Sequence, residues 1–112
     1  MDLILKRGDI VICILKGDFG KPRPGIVVQA DLYNPTHASI TVCPITTHVI
    51  DAPLFRLSLT PSNENGLKQP SQIMVDKIMT LQRDKIRQKI GVISHDLQTH
   101  LNNAIKIWLE LE

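Results

Sequence analysis

The chain has 112 residues, 43% hydrophobic and 21% charged, with only 4% aromatic. That length suits one compact domain spanning residues 1–112, with a core that must be built from Ile, Leu and Val. Thirteen Lys and Arg against eleven Asp and Glu give a net charge of +2, too mild to point to a nucleic-acid partner by itself but compatible with one wherever the cations cluster. The opening apolar stretch, Leu3 to Leu5, is far shorter than a signal-peptide core, and no run is long and apolar enough to span a membrane. The reading is therefore cytoplasmic and not membrane-bound. In that reducing setting Cys13 and Cys43 read as small buried hydrophobes.

Asp9 to Leu15 (DIVICIL) is a continuous apolar, β-branched run, as in a strand buried on both faces. Lys16 to Pro24 (KGDFGKPRP) is dense in Gly and Pro and reads as a loop. Gly25 to Ala30 is a second strand, and Asn34-Pro35 a turn. Ser39 to Pro44 is a third strand that Pro44 should stop. Phe55 to Leu59 alternates apolar and polar, as a half-exposed strand does. Pro61 to Gly66 is a turn. Gln72 to Asp76 is a further strand, extendable through Ile78 to Leu81, and Ile86 to Ile93 is the last one, weakened by Gly91.

The end of the chain changes character. Ser94 suits a helix N-cap and Asp96 the first turn. Leu97, Leu101, Ala104, Ile105 and Trp108 then recur on one helical stripe, with Trp108 read as a packing anchor. Several short strands closed by one amphipathic helix predict a mainly β fold: a compact, partly open barrel with a helix across it.

The residues narrow the chemistry. His37, His48, His95 and His100 have no metal-ligand spacing, and no CxxC pair exists, so no metal is expected. The segment GDFGKPRPG lacks both the phosphate-loop and the dinucleotide-loop patterns, so no nucleotide cofactor is expected. It does present Arg23 between Pro22 and Pro24, whose locked angles stiffen it. A stiff guanidinium fork suits a phosphate, although a structural arginine in a turn fits the same residues equally well. Lys16, Lys21 and Arg23 are either a solvated loop or a cationic patch. Thr46 and Thr47 end the third strand with hydroxyls that could cap the strand or donate to a phosphate. His48 falls on the face of Thr46 if the strand continues, and otherwise is an ordinary surface histidine.

Five segments, in order along nearly the whole chain, together resemble the MazF/PemK (Kid) toxins of type II toxin–antitoxin systems. Lys6 to Val11 is similar to that family's start. Pro22 to Val28 resembles its arginine–proline motif, and Val42 to Thr47 its Pro-x-Thr strand end. Gly66-Leu67-Lys68 with Met74 to Thr80 resembles its later strand, and Lys89-Ile90-Gly91 before the Ser94 helix its ending. The resemblance implies an SH3-like, partly open barrel of the CcdB/MazF type, usually a homodimer. It implies an endoribonuclease that cuts single-stranded RNA, often mRNA, at short sequences without a metal. It also implies an antitoxin partner, with operator DNA bound only through the antitoxin complex. Carried over by position, Arg23 and Thr46 match the catalytic arginine and threonine, and Asp76 an acidic residue near the site. Lys16, Asp18, Lys21, Thr47, His48 and Lys77 are the accompanying candidates for RNA contact. Asp76, Asp18 and His48 all remain candidates for the base.

The chain departs from the family pattern at Met79, where an arginine is frequent, at Met74, where some members are basic, and in a short first loop from Lys16 to Lys21. Two rival readings accompany the nuclease. A CcdB-type poison of DNA gyrase depends on a Trp-Gly-Ile ending, whereas this chain ends Trp108-Leu109-Glu110-Leu111-Glu112. A catalytically silent barrel would bind RNA with strong salt dependence and leave it intact.

Overall fold

The computed structural model describes residues 3–112. In chain order it contains β1 (Asp9–Ile14), β2 (Pro22–Val27), β3 (Ser39–Thr46), β4 (Arg56–Leu59), β5 (Ser71–Met74), β6 (Met79–Gln82), β7 (Ile86–Val92) and the helix α1 (His95–Leu109). The strands pair in the order β4-β5-β3-β2-β1-β7, with β6 also on β3, and each pairing is antiparallel. Among the described residues, no helix is long and apolar enough to cross a membrane.

The apolar runs of β1 to β3 are explained by burial on both faces. Ile10, Ile26 and Cys43 point into one core, which Leu101 and Ala104 of α1 cover. Their sequence neighbours Val11, Val27 and Val42 point into a second core with Ile40, Leu81 and Ile86. Alternating side chains of one strand thus serve opposite faces, and neither face is polar. Both cysteines are free and buried, as read from their surroundings in sequence.

Three expectations are corrected. The second strand begins at Pro22, not Gly25, and so includes Arg23: Pro22, Arg23 and Pro24 face Ile14, Cys13 and Ile12 of β1. Two prolines fit there because the extended backbone already matches their fixed φ. Pro44 does not stop β3, which continues to Thr46. It sits opposite Gly25 at the last β2–β3 pair, and Ile45 and Thr46 then pair with β5 on the other side. The strand expected over Gln72–Asp76 ends at Met74, and a 3-10 turn, Val75–Lys77, separates it from β6. β5 and β6 therefore follow one edge of β3 as a broken strand. Its register shifts by the three residues of that turn.

The helix forms where the sequence places it. The Ser94 hydroxyl accepts from Leu97 N at 3.2 Å, an N-cap worth about 1 kcal/mol. Leu97 and Ile105 pack partly buried beside Leu101 and Ala104. Trp108 packs against Phe55, with ring centroids 5.3 Å apart and planes tilted by 58°, and stays partly exposed. Gly91, the weak point of β7, marks a close approach: a Cβ there would collide with the Glu64 and Asn65 carbonyls of the preceding turn.

Candidate active site

The β2–β3 ladder ends at Gly25↔Pro44. Pro24, next in β2 to point its backbone at β3, has no N–H to continue it, and a groove of about 300 Å³ opens beyond. Continuing the register past the last pair sets Arg23 opposite Thr46, and both line this groove. Asp18, Leu15 and Pro24 form the wall on their side, and Pro44, Ile45, Thr47 and Met74 the other.

Arg23 is not free within it. Its Nε donates to Asp18 Oδ2 at 2.8 Å and its Nη2 lies 3.5 Å from Oδ1. Both side chains are partly open to solvent, 42% and 31% exposed, so the pair can separate at small cost. The Cys13 thiol donates to the Arg23 carbonyl at 3.4 Å from directly across β1, which fixes the backbone beneath the guanidinium. Burial pushes the Cys13 thiol up to about 11 and Cys43 to about 12, so both remain protonated and inert in the fold.

Thr46 Oγ1 accepts from His48 N at 3.0 Å. This side-chain turn uses a lone pair and leaves the hydroxyl proton available to the groove. Thr47 also lines the groove. The chain bends at Thr47 and His48, so His48 does not share the strand face of Thr46, and its exposed side chain is not part of the lining. Sequence reasoning missed what holds this bend. Buried Gln72 accepts from Ile50 N at 3.0 Å and donates to Ile50 O at 2.8 Å, tying the loop after Thr46 to β5. A glutamine at an inward-facing strand position was the available signal.

Asp76 stands elsewhere. It lies in the 3-10 turn, outside the groove lining, and both of its oxygens are taken. Arg56 Nε donates to Oδ1 at 2.7 Å and Nη2 to Oδ2 at 3.1 Å. The Arg56 hydrogen bonds hold this carboxyl below the ordinary carboxylate range and raise Arg56 in return. The expected grouping of Asp76 with Arg23 and Thr46 therefore gives way to an ion pair that braces β4 against the turn. Lys16, Lys21 and Lys77 are exposed and outside the lining, the first two flanking the Asp18 turn. Among the described residues, no three His, Cys, Asp or Glu side chains gather as a metal site would need.

The family model for PemK-like, MazF-like toxins of type II toxin–antitoxin systems matches residues 6–109. The chain belongs to the PemK/MazF toxin family. This toxin is 35% identical over 106 residues to a Mycolicibacterium smegmatis protein named "Probable endoribonuclease MazF", covering 94% of this chain and 96% of that one. Among solved structures, the Mycobacterium tuberculosis toxin MazF-mt6 superimposes with a TM-score of 0.81 at 27% identity, over 93% of this chain and 98% of that one. A mycobacterial endoribonuclease in complex with its cognate antitoxin shares the fold, with a TM-score of 0.80 at 22% identity and coverage of 96% and 97%. The Arg23–Thr46 groove of this PemK/MazF toxin thus lies in a fold shared with proteins named as ribonucleases.

Proposed function

We propose that this protein is the toxin of a type II toxin–antitoxin pair and acts as an endoribonuclease on single-stranded RNA, mRNA above all, blocking translation. The carrying observation is that Arg23 and Thr46, 23 positions apart in sequence, line one groove in a member of this family.

The chemistry follows from the groups present. The ribose 2′-oxygen attacks the adjacent phosphorus, the 5′-oxygen leaves, and the products are a 2′,3′-cyclic phosphate and a 5′-hydroxyl. A proton leaves the 2′-hydroxyl and another reaches the departing oxygen. The Arg23 guanidinium carries its charge and paired donors to the crowded phosphate. Thr46 donates its hydroxyl proton to a phosphate oxygen. Of the three carboxylate or imidazole candidates for the base, Asp18 is the one that lines the groove. When the phosphate takes the Arg23 fork, the Asp18 carboxylate is released to accept the 2′-proton. Asp76 acts through the scaffold, by its hold on Arg56. Thr47 supplies a second hydroxyl to the strand, and Lys16, Lys21, His48 and Lys77 supply the surrounding polar surface. No step calls for a metal or a cofactor.

The structural likeness to an endoribonuclease held with its cognate antitoxin supports an antitoxin partner here, whose segment would cover the groove. Operator DNA would be bound only through that complex. A homodimer and a cytoplasmic location complete the reading. The relatives' names favour cleavage over the gyrase poison and over the silent RNA-binding barrel.

The test is incubation of the purified protein with a long mixed-sequence RNA, with and without EDTA, followed by mapping of the new ends. Cleavage at recurring short sequences, unaffected by EDTA, with cyclic-phosphate ends and with resistance at a single deoxyribose, is expected. Intact RNA, or ends that form equally well at deoxyribose, would overturn the reading.

A further inference from the structure

The turn between β1 and β2 carries an aromatic side chain that rests on nothing. Phe19 is fully exposed, and its backbone lies in the left-handed region at φ 54°, where bulky residues are rarely found. Gly17 and Gly20 on either side also have positive φ, at 85° and 75°. Asp18 N donates to Leu15 O at 3.3 Å and Lys21 N to Asp18 O at 3.0 Å. Two short turns thus lift Phe19 outward on a bonded backbone.

The chain holds four aromatic residues. Phe55 and Trp108 pack on each other, whereas Phe19 stands in water at the tip of a six-residue segment, KGDFGK. Its immediate neighbour Asp18 is groove wall and partner of Arg23. The exposed Lys16 and Lys21 frame it. An aromatic face between cations, one residue from a phosphate-binding groove, is the arrangement that holds an unpaired nucleotide strand: bases stack on the ring and phosphates meet the lysines.

We propose that Phe19 is a stacking platform for a base of the RNA strand beside the scissile phosphate, and so helps set where this toxin cuts. This rests on the reading of the groove as the RNA site. One nucleotide pinned at Phe19 fixes which phosphate reaches Arg23, so the residue acts on register as well as affinity. An acidic protein segment could also meet the lysines and cover the ring, and binding of that kind alone is the outcome that the test below separates.

Phe19→Asn removes the ring with a residue that tolerates the left-handed backbone, and Phe19→Trp keeps a stacking face. Both are compared with wild type on a single-stranded RNA oligonucleotide carrying a mapped cut site, and on its analogue with one deoxyribose there. Phe19→Asn is expected to raise KM, and Kd for the analogue, roughly tenfold, the worth of one base–aromatic stack, with kcat within about twofold of wild type. Its cut map on long RNA should broaden, and Phe19→Trp should restore both. Unchanged KM, Kd and cut map in Phe19→Asn would overturn the proposal, as would a change confined to antitoxin affinity or oligomeric state. Wild-type protein that cuts no RNA sinks the nuclease reading itself, whereas wild-type cleavage with an unaltered Phe19→Asn sinks only the stacking role.

Discussion

Arg23 and Asp18 hold each other along one wall of the groove, Nε to Oδ2 at 2.8 Å. The resting guanidinium is therefore occupied by a carboxylate whose charge and fork geometry resemble those of the phosphate it is expected to receive. In the proposed mechanism a substrate displaces Asp18, and that displacement readies the proton acceptor as the phosphate is clamped.

This exchange separates two variants. Arg23→Ala should lower kcat/KM several hundredfold, equivalent to about 3 kcal/mol of transition-state stabilisation. Asp18→Asn should lower kcat about a hundredfold as a lost proton acceptor, while binding of a deoxyribose-blocked RNA stays as tight as wild type or tighter, since a competing anion has gone. Single-turnover rates and filter binding measure the two quantities. Asp18→Asn at full kcat would remove Asp18 from the chemistry.

Thr46 is tested by shape-matched replacement. Thr46→Val keeps the volume and removes the hydroxyl, and should cut kcat by about a hundredfold with little change in KM. Thr46→Ser should retain most of the rate. The loss of the His48 N partner in Thr46→Val is confined to an exposed bend, so the melting temperature of the two variants should agree.

Asp76 and Arg56 are 17% and 10% exposed, and they are joined by two bonds. Asp76→Asn should destabilise the fold by about 2 kcal/mol at neutral pH, read by urea denaturation, while cleavage per folded molecule stays near wild type. The pH sign follows from the lowered Asp76 value. Its contribution is complete above the unfolded carboxylate range and is lost as pH falls through the folded value. The stability gap between wild type and Asp76→Asn should therefore be widest at neutral pH and close in acid. A gap that widened in acid would contradict the ion-pair account.

The thiols give a test of the two-faced sheet. With Cys13 pushed up to about 11 and Cys43 to about 12 by burial, neither should react with an aromatic disulfide reagent at pH 8 in the native protein. Both should titrate fully in denaturant. Rapid native labelling of Cys13 would show that the β1–β2 backbone under Arg23 opens far more readily than its burial implies.

Hydrophobic patterning by itself determined the element types of this protein, several short strands and one closing helix. The continuous apolar run of β1 is satisfied by burial on two faces, and the stripe from Leu97 to Ala104 by a helix lying on a sheet. The ordered motifs also brought Arg23 and Thr46 forward as a pair. Local propensity could not set the strand limits at the prolines. Pro24 and Pro44 read as breakers, yet both sit in strands, because what a proline forbids is an N–H partner, and whether a partner is needed depends on which strand lies alongside. At Pro24 the missing N–H falls on the β3 side, where the ladder ends beside the groove.

Pairing at long sequence distance was decided by the tertiary structure alone. Arg56 captures Asp76 from 20 positions away, and Gln72 ties down Ile50 from 22. The first pair occupies both oxygens of the family-matched carboxylate; the second holds the loop that follows Thr46. A sequence displays the types of charge and amide it carries, but a buried hydrogen-bonding group takes the partner the fold places within about 3 Å of it. That distance exists only once the chain has closed on itself.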